Sequence, residues 1–158
     1  MTLKGIIDTD TVNYKKISMV LEFPFCNTFK CDRECGKQVC QNSSLASAPD
    51  IKIDIEDIIT RYLSNPLTES VVCQGLEPFD SLGDLLRFID AFRVKSNDDI
   101  VIYTGYTEEE IYPYLEFFKR YKNIIIKFGR FIPDEESHLD KVLGVKLASF
   151  NQYAKKIS

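Results

Sequence analysis

The stretch ISMVLEF, residues 17–23, decides the fold, because it is a short apolar run of strand-forming residues that Pro24 ends. A segment rich in cysteine follows it at once. Similar runs recur along the chain, and they predict further core strands at 70–74 (SVVCQ), 100–103 (IVIY) and 124–128 (IIIKF), with a candidate fifth strand at 145–148.

Apolar residues at helical spacing separate these strands. They predict a first helix after Asp54, as its N-cap, and a second helix through 82–92. Thr107 and Glu110 form a capping-box pattern that opens a third helix, in which Pro113 predicts a kink or a later start. The alternation of strands and helices predicts an α/β fold with a mostly parallel sheet built from right-handed βαβ units.

Ligands in such folds bind at the carboxyl ends of the strands. The segments that leave successive strands are residues 24–48, 75–78, 104–107 and 129–131. We therefore expect these four segments to meet at one edge of the sheet.

Length and composition indicate one domain, residues 1–158, with 44% hydrophobic residues and a net charge of −4. No apolar run approaches the roughly 20 residues of a membrane span, and the N-terminus does not resemble a secretion signal. We expect a cytoplasmic protein that does not associate with a membrane. Nucleic acid is not an expected partner, because the chain lacks the basic surface that neutralises phosphates.

Four cysteines, Cys26, Cys31, Cys35 and Cys40, lie within fifteen residues. Thiolates are preferred ligands of iron–sulfur clusters and of structural zinc, so the segment 24–48, here named the cysteine loop, is predicted to bind a metal. The gaps of four, three and four residues differ from the C-x2-C of zinc knuckles and favour a cluster. Cys73 lies within an apolar strand and is predicted to be a core thiol.

Four segments resemble motifs of the radical SAM activating proteins of glycyl radical enzymes, especially the small activating protein of anaerobic ribonucleoside-triphosphate reductase. CQNSSL (40–45) is similar to that family's C-H-N-P-E-L segment, and GLEP (75–78) to its G-G-E-P motif. IYTGYTEE (102–109) is similar to its Y-T-G-Y-T segment, and SFNQ (149–152) to its S-x-N-Q. The chain departs from the family in the cluster motif C-x3-C-x2-C, which no three of its cysteines reproduce.

The resemblance implies an incomplete radical SAM barrel that holds a [4Fe-4S] cluster and S-adenosylmethionine. It implies reductive cleavage of S-adenosylmethionine to a 5′-deoxyadenosyl radical, which installs a glycyl radical on a partner such as anaerobic ribonucleotide reductase. A flavodoxin or a ferredoxin would supply the electron. By analogy, Gly75, Leu76 and Glu77 line the methionine end of the cofactor, and Thr104 and Tyr106 lie near its ribose or adenine.

Two alternatives remain open at the level of sequence. Binding by all four cysteines would close the cluster and make the chain a noncatalytic iron–sulfur binding or electron-transfer module. A structural zinc domain is the other alternative. The sequence does not identify a catalytic residue.

Overall fold

A central sheet of six strands organises the computed structural model, which describes residues 1–158. The ten strands of the chain are β1 Thr2–Leu3, β2 Gly5–Asp10, β3 Ser18–Phe23, β4 Ile51–Lys52, β5 Ser70–Gly75, β6 Asp99–Tyr103, β7 Ile124–Phe128, β8 His138–Asp140, β9 Val145–Leu147 and β10 Tyr153–Lys156. The helices are α1 Lys30–Cys35, α2 Ile55–Leu63, α3 Leu82–Lys95 and α4 Glu108–Phe118, with short 3₁₀ helices at Ser43–Ser47 and Pro78–Ser81.

The strands of the central sheet lie in the order β10-β7-β6-β5-β3-β2. The four inner strands are parallel, and the two edge strands, β2 and β10, pair antiparallel. This arrangement confirms the predicted α/β class with a mostly parallel sheet. The sheet is open at both edges and does not close into a barrel.

The two faces of the sheet carry different amounts of core, because successive side chains of a strand point to opposite faces. The larger cluster includes Met19, Leu21 and Phe23 of β3, together with buried side chains of α2, α3 and α4. The smaller cluster lies on the other face, where Val20 packs with residues of the β8–β9 region such as Leu143. The helices therefore cover one face, and Tyr14 with residues between Leu143 and Ala154 covers the other.

The candidate strand at 145–148 is present as β9, but it does not join the central sheet. β9 pairs with β8 in a separate two-stranded hairpin, and β10 takes the place beside β7. The buried carboxylate of Asp140 fixes this arrangement, because it accepts the amides of Val142 and Leu143 within the hairpin and that of Ala154 in β10. β10 escaped prediction because only Ala154 of its four residues is buried.

α4 begins at Glu108, directly after its N-cap Thr107, so the helix does not start late at Pro113. Both capping-box hydrogen bonds predicted for Thr107 and Glu110 are present. None of the four helices combines the length and the apolar character that crossing a membrane requires.

Candidate metal centre

A cavity of about 290 Å³ opens at the carboxyl edge of the parallel strands. Residues of the cysteine loop line it together with residues that leave β5, β6 and β7, as the order of the strands predicted. All predicted site residues except Cys35 line this sheet-edge cavity: Cys26, Cys31, Cys40, Gly75, Leu76, Glu77, Thr104 and Tyr106.

The cysteine loop is fastened to the turn that leaves β5. The amide of Glu77 donates to the carbonyl of Phe25 over 2.7 Å, and the side-chain amide of Asn42 donates to the carbonyl of Gly75 over 2.8 Å. Gly75 has a φ of +102°, and a Cβ there would lie 2.7 Å from the amide nitrogen of Phe23. Only glycine fits this close approach of two strand ends.

Within the cysteine loop, α1 is a helix that the sequence did not predict. Phe29, with a φ of +42°, precedes it, and Gly36, with a φ of +67°, ends it. A helix of six residues is too short to be stable alone, so its formation depends on the contacts of the loop. In the sequence, only Gly36, at the C-terminal end, indicated this helix.

Cys31 and Cys40 both line the cavity, and their thiols are close enough to influence each other. Burial, together with the nearby thiol of Cys40, raises the pKa of Cys31 to about 12. The sulfur of Cys26 accepts the amide of Phe29 over 3.4 Å, and burial raises the pKa of this thiol as well. Thiols held in the protonated form by burial are poor nucleophiles, and a metal that binds them must displace their protons.

Cys35 and Cys73 lie elsewhere. Cys35 is the last residue of α1, one helical turn beyond Cys31, and does not line the cavity. Cys73 is fully buried in β5, and burial raises the pKa of its thiol, so the prediction of a core thiol is confirmed.

Glu77 is a buried carboxylate that joins two strand ends. Its side chain accepts the amide of Phe79 over 3.1 Å, the hydroxyl of Thr104 over 2.8 Å and the amide of Gly105 over 2.9 Å. Burial raises the pKa of Glu77 to about 7, although these hydrogen bonds oppose the shift. Its carboxylate therefore holds the segment that leaves β6 against the turn that leaves β5.

Lys127, which the sequence analysis missed, is the second buried charged group of the cavity. Its ammonium donates to the carbonyl of Gly129 over 2.7 Å and lies 5.8 Å from the centre of the Tyr103 ring. Burial lowers the pKa of Lys127 to about 8, and the charge of Glu77 partly offsets that effect. The sequence feature that could have indicated this buried group is a lysine within the otherwise apolar strand IIIKF.

The structure also places Tyr106 and Arg130 against the cysteine loop. The hydroxyl of Tyr106 donates to Asp80 over 2.8 Å, and the ammonium of Lys30 lies 5.2 Å from the centre of its ring. Arg130 pairs with Glu110 of α4 over 2.5 Å and with Glu34 of α1 over 3.3 Å. These contacts hold the outer wall of the cavity.

The donor set fits an iron–sulfur cluster. No three His, Cys, Asp or Glu side chains meet around one point where a single metal ion could bind. The thiolates of a cluster bind different iron atoms, so they surround a volume instead of meeting at a point. Cys26, Cys31 and Cys40 all line the same cavity.

The family-level comparison agrees with this chemistry. The sequence model of the 4Fe-4S single cluster domain family matches residues 25–149, which include all four clustered cysteines and the strands β5, β6 and β7. The chain therefore belongs to the 4Fe-4S single cluster domain family. No curated protein and no solved structure matches it.

Proposed function

We propose that the chain binds a [4Fe-4S] cluster on the cysteine loop and uses it in the reductive cleavage of S-adenosylmethionine. One observation carries the proposal. Cys26, Cys31 and Cys40 line the same cavity as the GLEP turn and the TGYT segment, the two motifs that resemble cofactor-binding motifs of radical SAM activating proteins.

The cysteines of the cysteine loop would hold the cluster. A bound [4Fe-4S] cluster would supply one electron for the reductive cleavage of the carbon–sulfur bond of S-adenosylmethionine, with methionine and a 5′-deoxyadenosyl radical as the products. The electron comes from a one-electron donor of the flavodoxin or ferredoxin type. The residues of the chain bind, orient and shield these groups.

The turn that leaves β5 is built to receive an ammonium group. Leu76 lines the cavity, and its φ is not positive, so a side chain is tolerated where the related motif has a second glycine. No donor within the chain pairs with the carbonyl of Leu76, whereas the carbonyls of Gly75 and Glu77 are already paired. The Leu76 carbonyl is thus the free acceptor for the methionine ammonium.

Two neighbouring groups hold this turn in place. Glu77 fixes the segment that leaves β6 through Thr104 and Gly105, and Thr104 in turn accepts the amide of Tyr106 over 3.0 Å. The hydroxyl of Thr104 is therefore occupied within the chain. Its contribution to cofactor binding is to position Tyr106, whose ring lies at the wall of the cavity.

The partner step follows from the resemblance alone. A small radical SAM activating protein transfers the radical to a backbone glycine of a partner enzyme, and we extend this role to the present chain. The sheet, which is open and not closed, would then serve as an incomplete barrel whose exposed edge faces the partner.

Electron paramagnetic resonance of the anaerobically reconstituted and reduced protein tests the proposal. S-adenosylmethionine is expected to change the cluster spectrum, and the mixture is expected to yield 5′-deoxyadenosine and methionine in equal amounts. S-adenosylhomocysteine is the matched control ligand, because it lacks the sulfonium and cannot be cleaved. A spectrum indifferent to S-adenosylmethionine, without product, would establish a saturated electron-transfer module. Zinc in place of iron would establish a structural zinc domain.

A further inference from the structure

We infer that Cys26, Cys31 and Cys40 are the iron ligands and that Cys35 stays outside the cluster. This assignment rests on the [4Fe-4S] site of the proposed function and deepens it. It gives the ligand spacing C-x4-C-x8-C, in which the second of the two gaps contains Cys35.

The first support is the position of the four thiols relative to the sheet-edge cavity. Cys26, Cys31 and Cys40 line it, and Cys35 does not. Cys35 follows Cys31 by one turn and is the last residue of α1. Gly36, with a φ of +67°, then turns the chain back toward Cys40.

The second support is the carboxylate of Asp32, which closes the loop around Cys31 and Cys40. One of its oxygens accepts the amide of Val39 over 2.7 Å and the amide of Cys40 over 2.8 Å. The same oxygen lies 3.9 Å from the sulfur of Cys31. Asp32 is therefore a positioning residue that brings two ligands, nine positions apart, close together.

The third support is the anchoring of both ends of the loop. Asn42, two residues after Cys40, donates to the carbonyl of Gly75, and the carbonyl of Phe25, just before Cys26, accepts the amide of Glu77. The outer ligands are thus tied to the turn that leaves β5. Residues 33–37, around Cys35, make no hydrogen bond to this turn. Three ligands leave one iron without a thiolate, which is the condition that the proposed chemistry requires.

Alkylation of the reconstituted protein with iodoacetamide, followed by trypsin and mass spectrometry, reads out each thiol separately. Trypsin places every clustered cysteine on its own peptide, because Lys30, Arg33 and Lys37 separate them. We expect Cys35 to react in the loaded protein, while Cys26, Cys31 and Cys40 react only after a chelator has removed the iron. Cys73 is the internal control, since it is fully buried and should react only on unfolding.

Serine variants provide the second readout, with iron content and the spectrum of the reduced cluster measured for each. Cys31→Ser and Cys35→Ser are a matched pair on the same helix, one turn apart. Cys35→Ser is expected to keep the iron content and the spectrum of the unaltered protein, whereas Cys31→Ser, Cys26→Ser and Cys40→Ser lose most of the iron.

Protection of all four thiols, or loss of iron in Cys35→Ser, would overturn the assignment. Failure of the assignment and failure of the proposed function have different signatures. If Cys35→Ser keeps its cluster but S-adenosylmethionine leaves the spectrum unchanged, the ligand set stands and the cleavage does not. If a different set of three cysteines is protected and S-adenosylmethionine still changes the spectrum, the cleavage stands and the ligand set does not.

Discussion

Glu77 shows how one side chain links the fold to the site. Its carboxylate is only 4% exposed, yet it accepts three hydrogen bonds from two strand-end segments. Burial favours the neutral form, and the pKa rises from an ordinary value of 4.5 to about 7. Between these pH values the folded chain therefore binds more protons at Glu77 than the unfolded chain does.

The sign of the effect on stability follows from this difference in proton binding. Because the folded state binds more protons, the free energy of unfolding falls as the pH rises from 4.5 to about 7, by up to about 3 kcal/mol from this group. Glu77→Gln cannot titrate, so its stability relative to the unaltered chain should increase by that amount over the same window. Urea unfolding of the cluster-free chain at a series of pH values measures the difference.

Glu56→Gln is the control for this pH series, since Glu56 is exposed on α2 and makes no side-chain hydrogen bond that would couple it to the cavity. Its stability difference from the unaltered chain should change little with pH. A difference for Glu77→Gln that is equally flat would contradict the raised pKa of the buried carboxylate.

At the scale of elements, two helices begin with side chains of the N-cap type but use them differently. The hydroxyl of Thr107 accepts the amide of Glu110 over 3.3 Å, and the carboxylate of Glu110 accepts the amide of Thr107 over 2.8 Å. Asp54 occupies the same position before α2, but its side chain makes no capping hydrogen bond. The start of α4 therefore depends on its cap more than the start of α2 does.

Alanine at each N-cap tests this contrast. Thr107→Ala should lower the free energy of unfolding by about 1 kcal/mol, because an orphan amide of the first turn loses its partner. Asp54→Ala should lower it by less than about 0.5 kcal/mol, as is usual for a surface change without such a partner. Urea unfolding followed by far-ultraviolet circular dichroism gives both values. Equal losses would show that the cap of α4 contributes nothing specific.

The sequence predicted the elements whose apolar pattern is complete within the element itself. The strands β3, β5, β6 and β7 are buried along nearly their whole length, so they read as continuous apolar runs. β2, at the edge of the sheet, is half-exposed and carries a mixed pattern, and β10 is similar. Edge strands of this kind acquire their structure from the neighbour with which they pair.

The features of the candidate site also differ in whether the sequence could predict them. The rule that ligands meet at the carboxyl ends of parallel strands was enough to predict the cavity and its lining by Gly75, Leu76, Glu77, Thr104 and Tyr106. The pairing of Asp32 with the amide of Cys40, and the burial of Lys127, depend on side-chain directions that no local pattern specifies. For the same reason, sequence spacing alone did not separate Cys35 from the other three cysteines.

At the scale of the whole molecule, a network of charges joins the cysteine loop to α4 and to the segment that leaves β7. Arg130, after β7, pairs with Glu110 of α4 and with Glu34 of α1, and Lys30 of α1 pairs with the same Glu110 over 2.5 Å. Burial raises the pKa of Glu110, but hydrogen bonds from Arg130, Lys30 and Thr107 outweigh it and lower that pKa to about 2. Glu110 is therefore ionised at neutral pH.

Arg130 is the centre of this network, because its side chain is only 10% exposed and also donates to the carbonyl of Gly105 over 3.1 Å. Arg130→Met keeps an unbranched side chain but removes the guanidinium and leaves Glu110 with one cation, at a cost of about 1–3 kcal/mol in the free energy of unfolding.

The loss should be largest where the network holds the cysteine loop, so amide hydrogen exchange over residues 30–35 should accelerate more than exchange in α3. Lys119→Met, which breaks the exposed pair with Glu116, should change neither measurement. Uniform acceleration across the chain would mean that Arg130 contributes general stability and does not hold the loop. Acceleration confined to α1 would mean that a side chain after β7 controls the order of the loop that carries the ligands.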